Sequence, residues 1–178
     1  GKNPAIVCIL GTGSNSCYFD GKHIKMIVPS LGYILMDEAS GNYFGKKLIV
    51  DYYYHKMPKK IAEKFRNEFD LDADHIKKNL YRAPNPNMYL ATFAKFMFEF
   101  KEEKYIKKII KKEIQEFFKY RILPYNKTAE TPIYFIGSIA FYFRDILEKI
   151  AQKNNLVITD VIQRPIDNLL AYHKDNIN

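Results

Sequence analysis

The chain has 178 residues, of which 47% are hydrophobic and 15% are aromatic, which is enough to bury one substantial core and too many for a disordered protein. We therefore expect a single domain over residues 1–178. No run approaches the roughly 18 consecutive apolar residues that span a bilayer, and residues 1–4 lack the apolar core of a signal peptide. These features favour a soluble, cytoplasmic protein and argue against a membrane partner.

The formal net charge of +8 at pH 7 raises the question of a nucleic-acid partner. Residues 1–55 hold five Lys/Arg and four Asp/Glu, so almost all of the excess lies further along the chain. Residues 101–121 hold eight basic and four acidic residues, with apolar residues at helical spacing. This pattern predicts an amphipathic helix with a solvated lysine face. Nucleic-acid binding by that face is the alternative.

The first 28 residues predict three short strands joined by tight turns. The strands cover residues 5–10, 16–19 and 23–28, with a Gly-Thr-Gly-Ser-Asn turn and an Asp-Gly turn between them. After a loop, a helix is predicted to begin at the small residues 39–41 and to run through Tyr52.

The middle of the chain predicts helices and the last part alternates strand and helix. Pro58 is suited to a helix start, and Asp72 or Asp74 can cap the next helix. The elements predicted after the break at residues 83–87 are helices at 88–100 and 101–121, a strand at 132–136, a helix at 140–153, a strand at 156–158 and a helix at 165–173.

This order predicts an α/β fold with a mixed sheet. The first three strands form an antiparallel meander, the later strands join it through helical crossovers, and helices flank the sheet. Residues 57–125 are then a helical insertion in this core. Cys8 and Cys17 fit neither a redox nor a zinc spacing, so we expect two reduced thiols.

Residues 11–16, Gly-Thr-Gly-Ser-Asn-Ser, form a sharp turn between two predicted strands. Their backbone amides and three hydroxyls can converge on an anion such as phosphate, and glycine permits close approach. The sequence is neither the P-loop nor the dinucleotide fingerprint, so an ordinary hairpin turn is the alternative.

Two further clusters carry candidate chemistry. Asp37 and Glu38 stand at a predicted helix start about twenty residues after the turn; they can simply favour the helix dipole, or Asp37 can accept hydrogen bonds from sugar hydroxyls. Residues 133–140 form an apolar strand that ends in Gly-Ser before a helix, where open sheets commonly bind ligands. An ordinary strand-to-helix turn is the alternative there.

In this order and separation, the three clusters resemble the motifs of the BadF/BadG/BcrA/BcrD ATPase family, and within it those of the N-acetylglucosamine kinases. Gly11-Thr12-Gly13-Ser14 resembles the family's second phosphate motif, Asp37-Glu38-Ala39-Ser40 its Gly-Asp-Glu-Gly-Ser segment, and Gly137-Ser138 its adenosine motif. The resemblance implies a ribonuclease H-like lobe of the actin and hexokinase type, ATP and Mg²⁺ as cofactors, and an amino sugar as substrate. The implied contacts are Thr12, Gly13 and Ser14 for the ATP phosphates, Gly137 and Ser138 for adenosine, and Ser30, Gly32 and Asp37 for the sugar.

The sequence departs from the family pattern in three side chains and one segment. Met36 and Ala39 replace the glycines around Asp37-Glu38, where Met36 could crowd the sugar, and Ser138 replaces a glycine of the adenosine motif. The family's first phosphate hairpin and its catalytic aspartate precede the part that this chain resembles. The resemblance therefore implies the C-terminal lobe of a two-lobed sugar kinase, with the general base in an N-terminal lobe, and it leaves a homodimer open.

Two other functions are known for proteins that resemble this family or fit its departures from the pattern. A nonenzymatic sensor of sugar or nucleotide would explain the replaced glycines. An activator ATPase needs cysteines for a bridging cluster, whereas Cys8 and Cys17 lie on the strands beside the phosphate motif, so that activity is disfavoured.

Overall fold

The computed structural model describes residues 3–127 and 130–165. Five strands form one mixed sheet in the order β3-β2-β1-β4-β5. The antiparallel pairs are β1–β2 and β2–β3, and the parallel pairs are β1–β4 and β4–β5. The strands are β1 Ala5–Leu10, β2 Ser14–Phe19, β3 Ile24–Lys25, β4 Ile133–Ile136 and β5 Ile158–Ile162. The predicted mixed sheet with an antiparallel meander is confirmed.

Helices flank this sheet, and residues 57–125 contain helices and no strand. Ser40 caps the first helix by accepting from the Tyr43 N–H, and Asp72 caps the third. The helices are α1 Gly41–Tyr53, α2 Lys59–Glu68, α3 Ala73–Tyr81, α4 Pro86–Thr92, α5 Ala94–Glu99, α6 Lys104–Phe117, α7 Ser138–Tyr142 and α8 Arg144–Lys153. A π-helical turn, Phe118–Ile122, and a 3-10 turn, Leu123–Tyr125, follow α6.

Four strands differ from their predicted bounds: β2 begins two residues earlier, β4 begins one residue later, and β3 and β5 differ more. β3 is only two residues long because the chain leaves the sheet after it, and the carbonyls of Val28 and Pro29 accept hydrogen bonds from a guanidinium instead. β5 begins two residues later than the predicted strand, because Leu156 belongs to the C-terminal turn of α8, where its N–H donates to the Ala151 carbonyl.

Two predicted helices are each broken in the structure. The helix predicted at 88–100 is interrupted at Phe93, and the one predicted at 140–153 begins at Ser138 and is interrupted at Phe143. Both phenylalanines are fully buried, so the breaks turn the chain to keep an aromatic ring in the core. The helix predicted at 165–173 lies almost wholly outside the described residues.

Close packing of α1 against α4 fixes the helix that carries the candidate site. A Cβ on Gly45 would lie only 1.8 Å from the Leu90 carbonyl oxygen, so the two helices approach to a distance that only glycine permits.

Within residues 3–127 and 130–165, no helix combines the length and the apolar character needed to cross a bilayer.

Candidate functional site

The turn between β1 and β2 is fastened to the N-terminus of α1 by backbone hydrogen bonds. The carbonyl of Gly11 accepts from the Gly41 N–H at 2.8 Å, and the carbonyl of Thr12 accepts from the Asn42 N–H at 3.0 Å. Helix N-termini leave their first N–H groups without intrahelical partners, and here the turn supplies acceptors for two of them. The predicted phosphate turn and the predicted sugar segment therefore meet at the start of one helix.

Ser14 places an unpartnered hydroxyl beside this turn. Its side chain is 4% exposed, and Oγ makes no hydrogen bond among the described residues. A buried polar atom without a partner is uncommon in native proteins and calls for an explanation. A ligand oxygen in the adjoining cavity would supply the missing partner.

Asp37 is the buried carboxylate of the site. It is 6% exposed and its backbone is left-handed, with φ of 71°. Ala39 is also left-handed, with φ of 58°, so it takes the conformation for which a glycine is the usual choice. Met36 lies against the Arg121 guanidinium, with Sδ 3.2 Å from Nη2, and is not among the residues that line the cavity around Asp37.

A cavity of about 350 Å³, which we call the Asp37 cavity, unites two of the predicted clusters. Every residue predicted to bind phosphate or sugar lines it. Its lining consists of Ile9, Thr12, Gly13, Ser14, Asn15, Ser30, Gly32, Tyr33, Asp37 and Asn87.

A second cavity of about 490 Å³, the Tyr142 cavity, joins the same turn to the start of α7. Phe98 and Tyr142 stack there, with ring centroids 4.2 Å apart and an interplanar angle of 21°, and form an aromatic wall. Lys95 and Arg164 add positive charge. The remaining lining residues are Gly11, Thr12, Gly41, Ala91, Ala94, Ser138, Ile139 and Gln163. Thr12 lines both cavities.

The two residues predicted to bind adenosine are placed differently. Ser138 lines the Tyr142 cavity, whereas Gly137 lies behind it, where a Cβ would be 2.3 Å from the Leu10 carbonyl oxygen. Gly137 also has φ of 122°. Its structural contribution is the close approach of the β4–α7 turn to the end of β1.

Arg121 anchors the segment that carries Ser30 and Gly32, two of the residues predicted to contact a sugar. Its guanidinium donates to the carbonyls of Val28 and Pro29 at 3.2 and 3.3 Å, and Nε donates to Glu38 Oε2 at 3.3 Å. The side chain is almost fully buried. Arg121 therefore ties down both ends of residues 28–38, between which Ser30 and Gly32 lie.

Several site residues were not predicted from the sequence. Asn42, Lys95, Phe98 and Tyr142 lie in segments predicted only as helices, and Arg164 stands just before the helix predicted at 165–173. For Asn42 the available signal was its place at the start of a helix beside two carboxylates.

Neither cysteine beside the turn is poised as a nucleophile. Burial raises the pKa of the Cys8 thiol well above its usual range, and partial burial raises the pKa of Cys17, so both stay protonated near neutral pH. Both thiols are free. In the part of the chain that the structure describes, no three His, Cys, Asp or Glu side chains are grouped to hold a metal ion.

Outside the site, α6 and α8 form a groove of about 450 Å³ with an apolar floor. Lys107 and Lys111 line it from α6, and Lys149 and Lys153 line it from α8. This groove is where a polyanion would bind if the nucleic-acid alternative held.

Among the solved structures that resemble this chain are two bacterial proteins. A chain from Porphyromonas gingivalis, described as a "Putative N-acetylglucosamine Kinase", matches all of this chain at 38% identity with a TM-score of 0.90. A chain from Chromobacterium violaceum with the same description matches 90% of this chain at 17% identity with a TM-score of 0.69, which concerns the fold alone. No protein-family model matches, and no curated protein matches.

The match confirms the predicted fold class, a lobe of the actin and hexokinase type. This chain spans 62% of the Porphyromonas chain and 56% of the Chromobacterium chain. The protein is thus related, over the whole of its sequence, to a larger protein described as a "Putative N-acetylglucosamine Kinase".

Proposed function

We propose that this chain is the C-terminal lobe of an ATP-dependent kinase that phosphorylates N-acetylglucosamine or a related amino sugar. One observation carries the proposal: Thr12 lines both the Asp37 cavity and the Tyr142 cavity, so a single turn adjoins two ligand-sized spaces. A phosphoryl transfer needs this arrangement, with the nucleotide on one side of the phosphate-binding turn and the acceptor on the other.

The side chains suit the two ligands. On the nucleotide side, the stacked rings of Phe98 and Tyr142 offer a face for a base, and Lys95 and Arg164 offer positive charge for phosphates. On the acceptor side, the Asp37 carboxylate can accept hydrogen bonds from sugar hydroxyls, and the Ser14 hydroxyl can contact a phosphate oxygen.

In the proposed reaction, ATP with its Mg²⁺ supplies the terminal phosphoryl group. The bond between that phosphorus and the bridging oxygen of ADP breaks, and a bond forms to a sugar hydroxyl oxygen, whose proton passes to a general base. This lobe contributes positioning: Asp37 orients the sugar, and Gly13 and Ser14 hold the phosphate end of the nucleotide beside it. The base belongs to the N-terminal lobe that we infer upstream, and closure of the two lobes would exclude water.

The test is an assay of ADP release with a panel of sugars, using the protein expressed from its full gene. We expect turnover with N-acetylglucosamine, and a fall of about 100-fold or more in Asp37→Ala, because a misplaced acceptor forfeits much of the advantage of proximity. Asp74→Ala is the matched control, since Asp74 is exposed on α3 and, among the described residues, forms an ion pair with Lys77 alone. It should keep wild-type turnover.

Two other outcomes would replace the proposal. Binding of sugar and nucleotide without turnover on any sugar would favour a nonenzymatic sensor. If no sugar is turned over and the protein binds a nucleic acid tightly, with an affinity that falls steeply with salt, the lysine-lined groove is the functional surface. Its lysines are Lys107, Lys111, Lys149 and Lys153.

A further inference from the structure

Asn42 touches both halves of the candidate site with one amino group. Its side-chain Nδ2 donates to the Thr12 carbonyl at 2.7 Å and to Asp37 Oδ2 at 2.9 Å. The residue is 1% exposed. A single buried carboxamide therefore connects the phosphate turn to the sugar-side carboxylate.

The carboxylate that Asn42 holds is also pressed against the turn itself. A Cβ on Gly13 would lie 2.8 Å from Asp37 Oδ2 and 3.5 Å from its Cγ. The absence of a side chain at position 13 therefore lets the turn lie close to the Asp37 carboxylate, and the Asn42 hydrogen bonds join the two.

We propose that Asn42 is a positioning residue that couples the binding of the nucleotide to the binding of the sugar. This inference rests on the proposed function of the site. A phosphate bound to the turn fixes the position of the Thr12 carbonyl. That carbonyl orients the Asn42 amino group. The amino group then holds the Asp37 carboxylate where a sugar hydroxyl can reach it. Because coupling between two sites is reciprocal, the sugar also strengthens nucleotide binding by the same factor.

The backbone of Asn42 makes its role separable from folding. Its N–H donates to the Thr12 carbonyl at 3.0 Å, so the turn stays fastened to α1 when only the side chain is changed. Asn42→Ala removes the carboxamide, including the Nδ2 donor, and leaves the backbone N–H in place. Asn42→Asp is isosteric and replaces the donor to Asp37 with a second carboxyl group.

The first measurement is isothermal titration calorimetry on the protein expressed from its full gene. N-acetylglucosamine is titrated with and without a non-hydrolysable ATP analogue and Mg²⁺, and the ratio of the two Kd values gives the coupling factor. We expect a coupling factor of at least about fivefold in the wild type. It should fall below about twofold in Asn42→Ala, while each ligand alone still binds.

The second measurement is the pH profile of sugar binding, which a purely structural role would leave flat. In Asn42→Asp two carboxyl groups stand at hydrogen-bond distance, so they share one proton and one pKa of the pair is raised. The shared proton replaces the lost amide donor at low pH and leaves as the pH rises. We therefore expect sugar affinity to fall at least about tenfold between pH 5.5 and pH 8 in Asn42→Asp, and to change less than about threefold in the wild type.

Other charged and titratable groups surround this pair: Glu38 beside Asp37, Arg121 paired with Glu38, Tyr33 on the cavity wall and Lys95 in the neighbouring cavity. They are the same in wild type and variant, so the difference between the two profiles isolates the introduced carboxyl. Asn79→Asp is the matched control, because it makes the same amide-to-carboxyl change on α3, outside both cavities. Its profile should follow the wild type.

Each result has a definite meaning. A flat pH profile in Asn42→Asp, or an unchanged coupling factor in Asn42→Ala, overturns the inference while leaving the kinase proposal intact. A wild type that binds both ligands without coupling does the same. A wild type that binds neither ligand refutes the proposed function, and the inference falls with it. If circular dichroism shows that Asn42→Asp does not fold at pH 8, the coupling factor of Asn42→Ala decides.

Discussion

Gly13→Ala tests whether the turn at residues 11–16 lies as close to the Asp37 carboxylate as the structure shows. The new Cβ would lie 2.8 Å from Asp37 Oδ2, whereas ordinary contacts begin near 3.4 Å, so the carboxylate must retreat by about 0.6 Å (3.4 − 2.8). Forcing extra atoms into a packed site costs about 1–3 kcal/mol, which corresponds to a factor of about 5 to 150. We expect this cost to appear as weaker sugar binding, because Asp37 is the group that moves.

Gly11→Ala is a matched control on the same turn. A Cβ on Gly11 would meet nothing within 4 Å, so sugar affinity should stay within about threefold of the wild type, since surface changes away from packed contacts stay within about 0.5 kcal/mol. The assay is calorimetric titration with N-acetylglucosamine, with thermal unfolding by circular dichroism as a check on folding. Equal sugar affinities in Gly13→Ala and Gly11→Ala would refute the reasoning, because the two variants differ only in what the added methyl group meets.

Two further predictions concern folding. Gly45→Ala should lower the thermal midpoint by several degrees, because its Cβ would meet the Leu90 carbonyl oxygen at 1.8 Å and push α4 from α1; a higher midpoint would mean that helix propensity outweighs packing. The Asp20 carboxylate accepts hydrogen bonds from two backbone N–H groups, which lowers its pKa to about 2. Its stabilising contribution should therefore be complete above about pH 4 and lost as the pH falls toward 2; an NMR titration of Asp20 with a midpoint near 4 would contradict this.

Local sequence signals predicted the elements that position the site. The apolar run in residues 5–10 and the Gly-Thr-Gly-Ser turn give β1 and its link to β2, and Ser40 stands just before α1, where a capping side chain belongs. These features depend on neighbours in sequence, so they can be predicted from a single chain. The order of strands and helices then limits the sheet to a few topologies.

Contacts between distant segments could not be predicted in this way. The Tyr142 cavity combines residues from the β1–β2 turn, α5 and α7. Its aromatic wall pairs Phe98 with Tyr142, which lies 44 positions further along the chain. The interruptions at Phe93 and Phe143 are likewise set by burial of a ring in the core rather than by a helix-breaking residue. Helix propensity favours continuation at both positions, and tertiary packing overrides it.

Arg121 shows that the total charge of a segment does not distinguish exposed lysines from a buried arginine with a structural role. Within residues 101–121 it was counted with the lysines of a solvated face, yet it lies four residues after Phe117 and seven after Ile114, both of which are fully buried. Helical spacing thus puts Arg121 on the apolar stripe, where an arginine is rarely fully buried unless it is paired. The structure supplies the partner in Glu38 and the further acceptors in the segment before it. A basic residue on the apolar face of a basic helix is therefore a separate signal from the lysines around it. Here it indicates that the helical segment supports residues 28–38, which carry Ser30, Gly32 and Asp37 of the Asp37 cavity.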